Sequence, residues 1–334
     1  MKILIIAPDI WEKDAVGNFC LDLSKLLIEN NIDVSLYAQN FSKEETPNVN
    51  HIDEFFDEVG NDDIIFLSYS IYDKYLEQVL ELSNKKVCYF HGVTPAELLE
   101  EFEPITAELC RKSVEQFSLL DKFDKIIANS KFISNDLKNY VSKEIEVLPP
   151  VFSSRFLFNK DIEEVQKNKD FIVVGRVVPH KKVENAIKLF IKIKEVIPEA
   201  NLIIIGSMPN HIYNEFLFNE VKKYDLSNCV EFKGVVSDDE LDKFYKYSYG
   251  FINASLHEGF CIPVLEALYY GLNIFVQKGH AAEELLTEGM QLIDFSNIQG
   301  IKFNNLKNQN YNFVNKILKK NNFDYWSKVF ILGS

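Results

Sequence analysis

Short runs of β-branched and aliphatic residues alternate with stretches of helical periodicity along all 334 residues, and few architectures accept that pattern. Runs that are apolar on both faces suit parallel strands, because helices then cover the two sides of the sheet. In the first half these runs fall at residues 2–7, 34–37, 64–68, 86–90 and 125–128. In the second half they fall at 171–174, 201–205, 230–233, 249–254, 273–276 and 291–294. Single cores stop growing near ~250–300 residues, so two α/β domains are expected. The boundary falls at Leu148-Pro149-Pro150, where a stiff turn is followed by polar residues up to Arg155. The domains are therefore 1–155 and 156–323, and an apolar helix at about 324–334 needs a surface to pack against.

The net charge of -14 is unevenly placed. Residues 1–157 hold 15 Lys+Arg and 28 Asp+Glu, net -13, and residues 158–334 hold 21 and 22, net -1. An acidic first half repels nucleic acid, and no basic stripe exists to release counterions, so no nucleic-acid partner is expected. The five cysteines are scattered without CxxC pairing, which fits a reducing, cytoplasmic compartment. The apolar start is too short for a signal peptide and reads as a strand, and no run approaches the ~20 residues of a membrane span. Contact with a membrane, if any, is peripheral.

Three loops carry candidate chemistry. His257-Glu258-Gly259-Phe260-Cys261-Ile262-Pro263-Val264-Leu265-Glu266 sets two carboxylates eight residues apart. The same spacing recurs at Glu100 and Glu108 in a charged surface segment, so spacing alone decides nothing. Glu258, by contrast, follows a buried strand, and Glu266 follows a Pro suited to the start of a helix. Strand, Gly loop and helix N-terminus in that order offer backbone N–H groups and carboxylates to a polar ligand. In the second loop, Gly175-Arg176 through Lys181, two cations flank a Pro-containing turn and can reach one anion. Read alone, such a pair is an ordinary solvated loop. In the third, His91 follows a strand, and Thr94, Pro95 and Glu97 have the spacing of a capping box opening a helix. A strand-end His is ordinarily structural, and Gly17 near the first helix reads equally as a helix opener. Asp62-Asp63 and Asp238-Asp239 resemble metal pairs, but Ser237 through Glu240 reads as helix capping and no metal site is expected.

These blocks resemble the retaining, nucleotide-sugar-dependent enzymes of glycosyltransferase family four, also called glycosyl transferases group 1. Gly175-Arg176 through Lys181, Phe232 through Leu241 with Gly234, and Glu258 through Glu266 match in order and separation over residues 170–295. The first half is similar more weakly, through Gly17, His91-Gly92 and Asn129-Ser130, in the manner of bacterial enzymes that build surface polysaccharides. The resemblance implies a GT-B fold, two Rossmann-like α/β/α domains facing each other across a cleft. It implies a metal-independent enzyme without a cofactor, which moves a hexose or deoxyhexose from a GDP-, UDP- or dTDP-linked donor. The acceptor would be a glycan or lipid-linked glycan of O-antigen or capsule synthesis, at the inner face of the cytoplasmic membrane. The alternatives are a sugar-nucleotide epimerase of the same architecture and a catalytically silent binding subunit.

The resemblance also implies roles. Arg176 and Lys181 would stabilise charge on the leaving diphosphate, and Glu258 would bond sugar hydroxyls beside the backbone of Gly259, Phe260, Cys261 and Ile262. Glu266 would accept from the ribose, Gly234 and Val235 would line the base, Gly17 would approach the phosphate or sugar, and His91 the reacting sugar. The C-terminal helix would pack back toward the first domain. The chain departs from the pattern at Cys261 and Lys182, where the family often has Gly, and in the first loop, where paired glycines reduce to Gly17 alone.

Overall fold

The computed structural model describes every residue except 13, 153–164, 286–290, 299–300, 302, 304–306 and 331–334. The expected boundary at 155/156 and the end of the C-terminal helix lie outside the described residues. The chain divides into two units. One comprises Met1–Ala96, Ile105–Ser154 and Leu318–Ser334, and the other Glu97–Pro104 and Arg155–Ile317.

The first unit is a seven-stranded parallel sheet. Its strands are β1 (Ile3–Ile10), β2 (Val34–Phe41), β3 (Val49–His51), β4 (Ile64–Tyr69), β5 (Lys85–Phe90), β6 (Lys125–Ala128) and β7 (Ile145–Val147). Their order is β3-β2-β1-β4-β5-β6-β7, so the chain winds outward from β1 and then returns to its other side at β4. Helices α1 (Ala15–Glu29), α2 (Ile52–Glu58), α3 (Leu76–Glu81), α4 (Pro104–Gln116) and α5 (Lys131–Leu137) connect the strands. The second unit repeats the plan with β8 (Asp170–Val174), β9 (Asn201–Ile205), β10 (Val230–Gly234), β11 (Gly250–Asn253), β12 (Asn273–Gln277) and β13 (Gln291–Ile293). Their order is β10-β9-β8-β11-β12-β13, again all parallel. Its helices are α6 (Val183–Val196), α7 (His211–Lys223), α8 (Asp238–Tyr247), α9 (Ile262–Tyr269) and α10 (Lys307–Lys320). Each winding has one place where strand order reverses, β1 beside β4 and β8 beside β11. Open α/β sheets bind ligands at the carboxyl ends of such strands.

The last helix, α11 (Phe323–Phe330), belongs to the first unit. Its Trp326 is fully buried and packs 5.5 Å from the rings of Phe19 and Tyr89. Asn321 fixes the entry to this helix: its Oδ1 accepts from the Phe152 N–H at 2.9 Å, and its amide donates to the Pro150 carbonyl. Some expectations change. β1 runs past Pro8 to Ile10, and β3 and β7 are additional strands. The helix expected from Thr94 and Glu97 is a single 3₁₀ turn, Ala96–Leu98, and α4 opens separately at Pro104. Ser237 caps α8 with Glu240 in a reciprocal box, as its spacing predicts.

Candidate functional site

Two loops leave the β8/β11 reversal side by side. The first runs from Gly175 through a 3₁₀ turn, Pro179–Lys181, and the second from Asn253 to Cys261. The Leu256 N–H donates to the His180 carbonyl at 3.0 Å, which ties the loops together. Sequence separation is thereby erased, and Lys181 and Glu258 meet although 77 residues part them.

Lys181 Nζ donates to Glu258 Oε2 at 2.6 Å. The other oxygen, Oε1, accepts from Ser255 Oγ at 2.7 Å and from Asn253 Nδ2 at 3.3 Å. Burial raises the pKa of Glu258, but the charge and hydrogen bond of Lys181, the Ser255 hydroxyl and His180 outweigh it and hold the carboxyl at about 2. Glu258 is thus a fixed anion with three donors aimed at it. His180 sits under the same turn. Burial, with the charges of Lys181, His257 and Arg176 against it, depresses its pKa to about 3, so it stays neutral. Arg176 is exposed at the mouth of this cluster. Arg176 and Lys181 both act on His180, so with Glu258 ionised the cluster keeps one cation in excess, and an anionic ligand is favoured there.

Backbone geometry explains several glycines and two departures from glycine. Gly175, Gly206 and Gly234 end the adjacent strands β8, β9 and β10 with positive φ of 142°, 142° and 67°. Gly206 was not singled out by sequence reasoning. A Cβ there would lie 1.9 Å from the Gly175 carbonyl oxygen, so its glycine allows the two strand ends to approach. Gly234 faces open space, and beside it the apolar Val235 is 58% exposed. That exposed pair can serve as a wall for a flat ring. Lys182 (φ 49°) and Cys261 (φ 67°) both occupy the left-handed region, at the N-caps of α6 and α9. These are the positions where glycine was the expected family residue. The left-handed cap gives the physical reason for that glycine, and its replacement stores strain at both helix starts.

Glu266 requires a correction. It lies past the first turn of α9, not within it, and is fully buried. Its Oε2 accepts from the Tyr245 hydroxyl of α8 at 2.7 Å. Its neighbours from Val264 to Tyr269 are all buried as well, so α9 is covered on every side at this point. Gly259 and Ile262 are partly exposed, whereas Phe260 and Cys261 are buried. Cys261 Sγ accepts from Asn253 Nδ2 at 3.2 Å, so Asn253 braces both Glu258 and the start of α9. Asn253 and Ser255 escaped sequence reasoning because their role appears only when the loop after β11 folds Glu258 and Cys261 back over them.

In the first unit, His91 follows β5 at the carboxyl edge of the sheet. Its Nε2 lies 2.8 Å from Ser68 Oγ on β4, and its ring meets Phe19 and Tyr89 edge-on at 4.9 and 4.8 Å. Burial pushes its pKa down to about 3. Gly17 lies within α1, where a Cβ would meet the Trp11 carbonyl oxygen at 2.0 Å. Its glycine is accounted for by the backbone of the β1–α1 loop. Asp63 accepts from the backbone N–H groups of Lys2 and Gly60, and so ties a loop. Among the described residues no group of three His, Cys, Asp or Glu side chains converges as a metal site.

Known proteins resemble this chain in sequence over part of its length and in fold over nearly all of it. Residues 154–302 match the family model described as glycosyl transferases group 1. The O-antigen chain mannosyltransferase RfbU of Salmonella typhimurium is 32% identical over 129 residues, 38% of this chain and 35% of that protein. A trehalose synthase of Thermococcus litoralis is 24% identical over 222 residues, 57% of this chain and 52% of the relative. The matched region thus spans between a third and about half of these relatives. Among solved structures, sucrose-phosphate synthase from Thermosynechococcus elongatus superimposes with a TM-score of 0.69 at 13% identity, covering 98% of this chain and 96% of the other. Anabaena HepE in complex with UDP and glucose gives 0.66 at 16% identity, covering 98% and 95%. WaaG, a glycosyltransferase involved in lipopolysaccharide biosynthesis, gives 0.63 at 12% identity, covering 98% and 94%. These likenesses establish the GT-B fold.

Proposed function

We propose that this chain, a glycosyltransferase of the GT-B fold whose residues 154–302 are of the glycosyl transferases group 1 type, transfers a hexose or deoxyhexose from a nucleotide diphosphate sugar with retention of configuration. One observation carries the reading: Arg176, Lys181 and Glu258 converge where strand order reverses beside β11. In such a transfer, negative charge grows on the leaving diphosphate while the sugar becomes oxocarbenium-like. Fixed cations lower that barrier without reorganising. Arg176 and Lys181 supply them, assisted by the N-terminal turn of α9. Glu258, held ionised, accepts from sugar hydroxyls. Gly234 and Val235 lie against the base. Glu266 contacts the ribose once Tyr245 releases it. No residue is assigned as a covalent nucleophile; the departing phosphate assists deprotonation of the acceptor on the same face.

The first unit receives the acceptor, a glycan or lipid-linked glycan of bacterial surface polysaccharide. The relatives named for O-antigen and lipopolysaccharide work support this choice. Among the described residues no helix is long and apolar enough to cross a membrane. The enzyme would act in the cytoplasm or at the inner face of its membrane.

Thermal-shift screening against GDP-, UDP- and dTDP-linked sugars tests the donor site, since a ligand at 100 times its Kd stabilises by about 2.7 kcal/mol. Stabilisation by none of them would leave the silent-subunit reading standing. Incubation with the stabilising donor alone, followed by product analysis, separates the remaining rival: an epimerase returns an isomeric nucleotide sugar.

A further inference from the structure

We infer that Tyr213 of α7 is a positioning residue for the donor loop: its hydroxyl caps the start of α6, holds Lys182 in its left-handed turn and so keeps Lys181 directed at Glu258 and at the ligand. The inference rests on the transferase reading only for the identity of that ligand.

The helix itself creates the need for such a residue. The first N–H groups of an α-helix have no partner within it. α6 begins at Val183, and its N-cap Lys182 makes no side-chain capping bond. Val183 is buried away from water. The Tyr213 hydroxyl supplies the missing acceptor: the Val183 N–H donates to it at 3.0 Å. The adjacent Glu184 N–H also acts on this oxygen.

Proton accounting follows from the partners. A backbone N–H can only donate, and a tyrosine hydroxyl has one proton to give. Tyr213 therefore accepts from Val183 and donates to Glu184 Oε2, 2.5 Å away. Burial and the Glu184 charge push the phenol well up, so it keeps that proton. A hydroxyl and a carboxylate thus fill the place where an open helix start would seat a phosphate. The diphosphate is left to the side chains of Arg176 and Lys181 and to the start of α9. The ring of Tyr213 is fixed as well. Asn210 Oδ1 accepts from the Tyr213 N–H at 2.9 Å, the Asn210 amide donates to the Phe102 carbonyl at 2.9 Å, and the Phe102 ring meets Tyr213 edge-on at 5.2 Å. Phe102 lies in Glu97–Pro104, the segment that belongs to the second unit.

The backbone carries the effect to Lys181. The N–H groups of Lys181 and Lys182 close the 3₁₀ turn onto Val178 and Pro179, and the Asn185 N–H returns to the Lys182 carbonyl at 2.8 Å. Lys182, at φ 49°, is therefore held from both sides, on the helical side through Val183 and Tyr213. Without the hydroxyl, Val183 becomes a buried donor lacking its acceptor, and the strained turn has less to hold it. Lys181, the next residue back, then turns away from Glu258 Oε2, now 2.6 Å from its Nζ.

Side-chain ¹³C NMR of the intact chain reads this without any substrate. Glu258 is faced by Lys181 and His180 of one loop and by Asn253, Ser255 and Cys261 around its own. With Lys181 in place, its carboxyl should not titrate between pH 7 and about 4. In Tyr213→Phe, which loses only the hydroxyl, titration should begin within that range. Tyr69→Phe loses a buried hydroxyl bonded to Ser113 and Gln116 in the first unit, and should leave Glu258 flat. An unchanged Glu258 in Tyr213→Phe overturns the inference. So does rapid deuterium exchange of the Val183 amide in wild type, a measurement that needs no variant to fold. With UDP-glucose or GDP-mannose, whichever wild type turns over, Tyr213→Phe should lower kcat/KM for the donor about five- to tenfold, the scale of one lost hydrogen bond. Unchanged turnover despite an altered Glu258 also overturns it. Absence of turnover by wild type with any nucleotide sugar counts against the transferase reading instead, and the Glu258 titration still decides the role of Tyr213.

Discussion

Lys181 Nζ stands 2.6 Å from Glu258 Oε2, while the Ser255 hydroxyl holds the opposite oxygen at 2.7 Å. The carboxylate occupies the place where a phosphate of like charge is expected, facing the cation meant for it. Removing one partner leaves a largely buried charge. Lys181→Met should therefore destabilise the chain by on the order of 1–3 kcal/mol. The double variant Lys181→Met/Glu258→Gln should recover much of that loss while remaining inactive. Urea midpoints and a transfer assay on wild type and the two variants check this. Equal stability of single and double variants would show that the pair is not coupled.

Arg176 separates chemistry from stability. It is exposed, so Arg176→Ala should move the urea midpoint very little, by no more than about 0.5 kcal/mol. Its proposed work on the leaving diphosphate predicts a fall in kcat of roughly 10²–10³-fold. Near-normal turnover would remove Arg176 from the mechanism.

Lys182 and Cys261 share a left-handed cap but not the same surroundings. Lys182 is partly exposed, and its side chain makes a loose ion pair with Glu184 at 3.6 Å. Lys182→Gly should therefore stabilise by about 0.5–1 kcal/mol, since relief of φ strain exceeds the added unfolded-state entropy. Cys261 is buried and accepts from Asn253, so Cys261→Gly trades strain against lost packing and should be nearly neutral. The contrast between the two midpoints is the measurement. Destabilisation by Lys182→Gly would show that the cap is unstrained.

These cases also show what the chain made legible. Alternating apolar runs located nearly every strand, because a parallel strand buried on both faces has to be apolar throughout. The charged trio Arg176, Lys181 and Glu258 was legible through the resemblance of three local blocks. For Glu266 a spacing of eight says nothing of its burial in α9 or of its bond from Tyr245. Gly206 was invisible for another reason: it acts across neighbouring strand ends on Gly175, a residue distant in sequence. Only the register of neighbouring strands reveals such a partner. Asn253 and Ser255 act within their own loop, on Glu258 and Cys261, and needed its folded path.

Acid should weaken the fold, with a sign set by three depressed groups. Burial holds His91 at about 3, and burial with neighbouring cations holds His180 at about 3, both from 6.5. Lys181 and Ser255, acting against burial, hold Glu258 at about 2 from 4.5. The unfolded chain takes up these protons first. The histidine contributions are thus complete above pH 6.5 and drain as pH falls toward 3, and that of Glu258 drains from 4.5 toward 2. Asp73 runs the other way, since burial raises it to about 6 from 3.8 and its penalty is relieved over that range. Between pH 6 and 5, His91 and His180, with His280 also lowered by burial, outweigh Asp73, so stability falls with acid by on the order of 1 kcal/mol per pH unit. Urea titrations at pH 7, 6 and 5 measure it, and His180→Asn should cancel most of the slope. A flat wild-type profile would contradict the burial of both rings.

Gly206 tests whether the close approach of β8 and β9 shapes the donor loop. In Gly206→Ala the new Cβ meets the Gly175 carbonyl oxygen at 1.9 Å, and φ is 142°. A backbone oxygen cannot step aside as the end of a side chain can, so the Gly175–Arg176 turn has to move. Overpacking of this kind costs about 1–3 kcal/mol, and strain from the positive φ adds to it. Displacing Arg176 should lower kcat as well. Gly234→Ala is the control, because no atom lies within 4 Å of where its methyl would sit and only the left-handed φ of 67° opposes it, at about 1–2 kcal/mol. If the two alanine variants lose the same stability and the same turnover, the crowding at Gly175 does not govern the position of Arg176, and the turn owes its shape to the Pro179 segment alone.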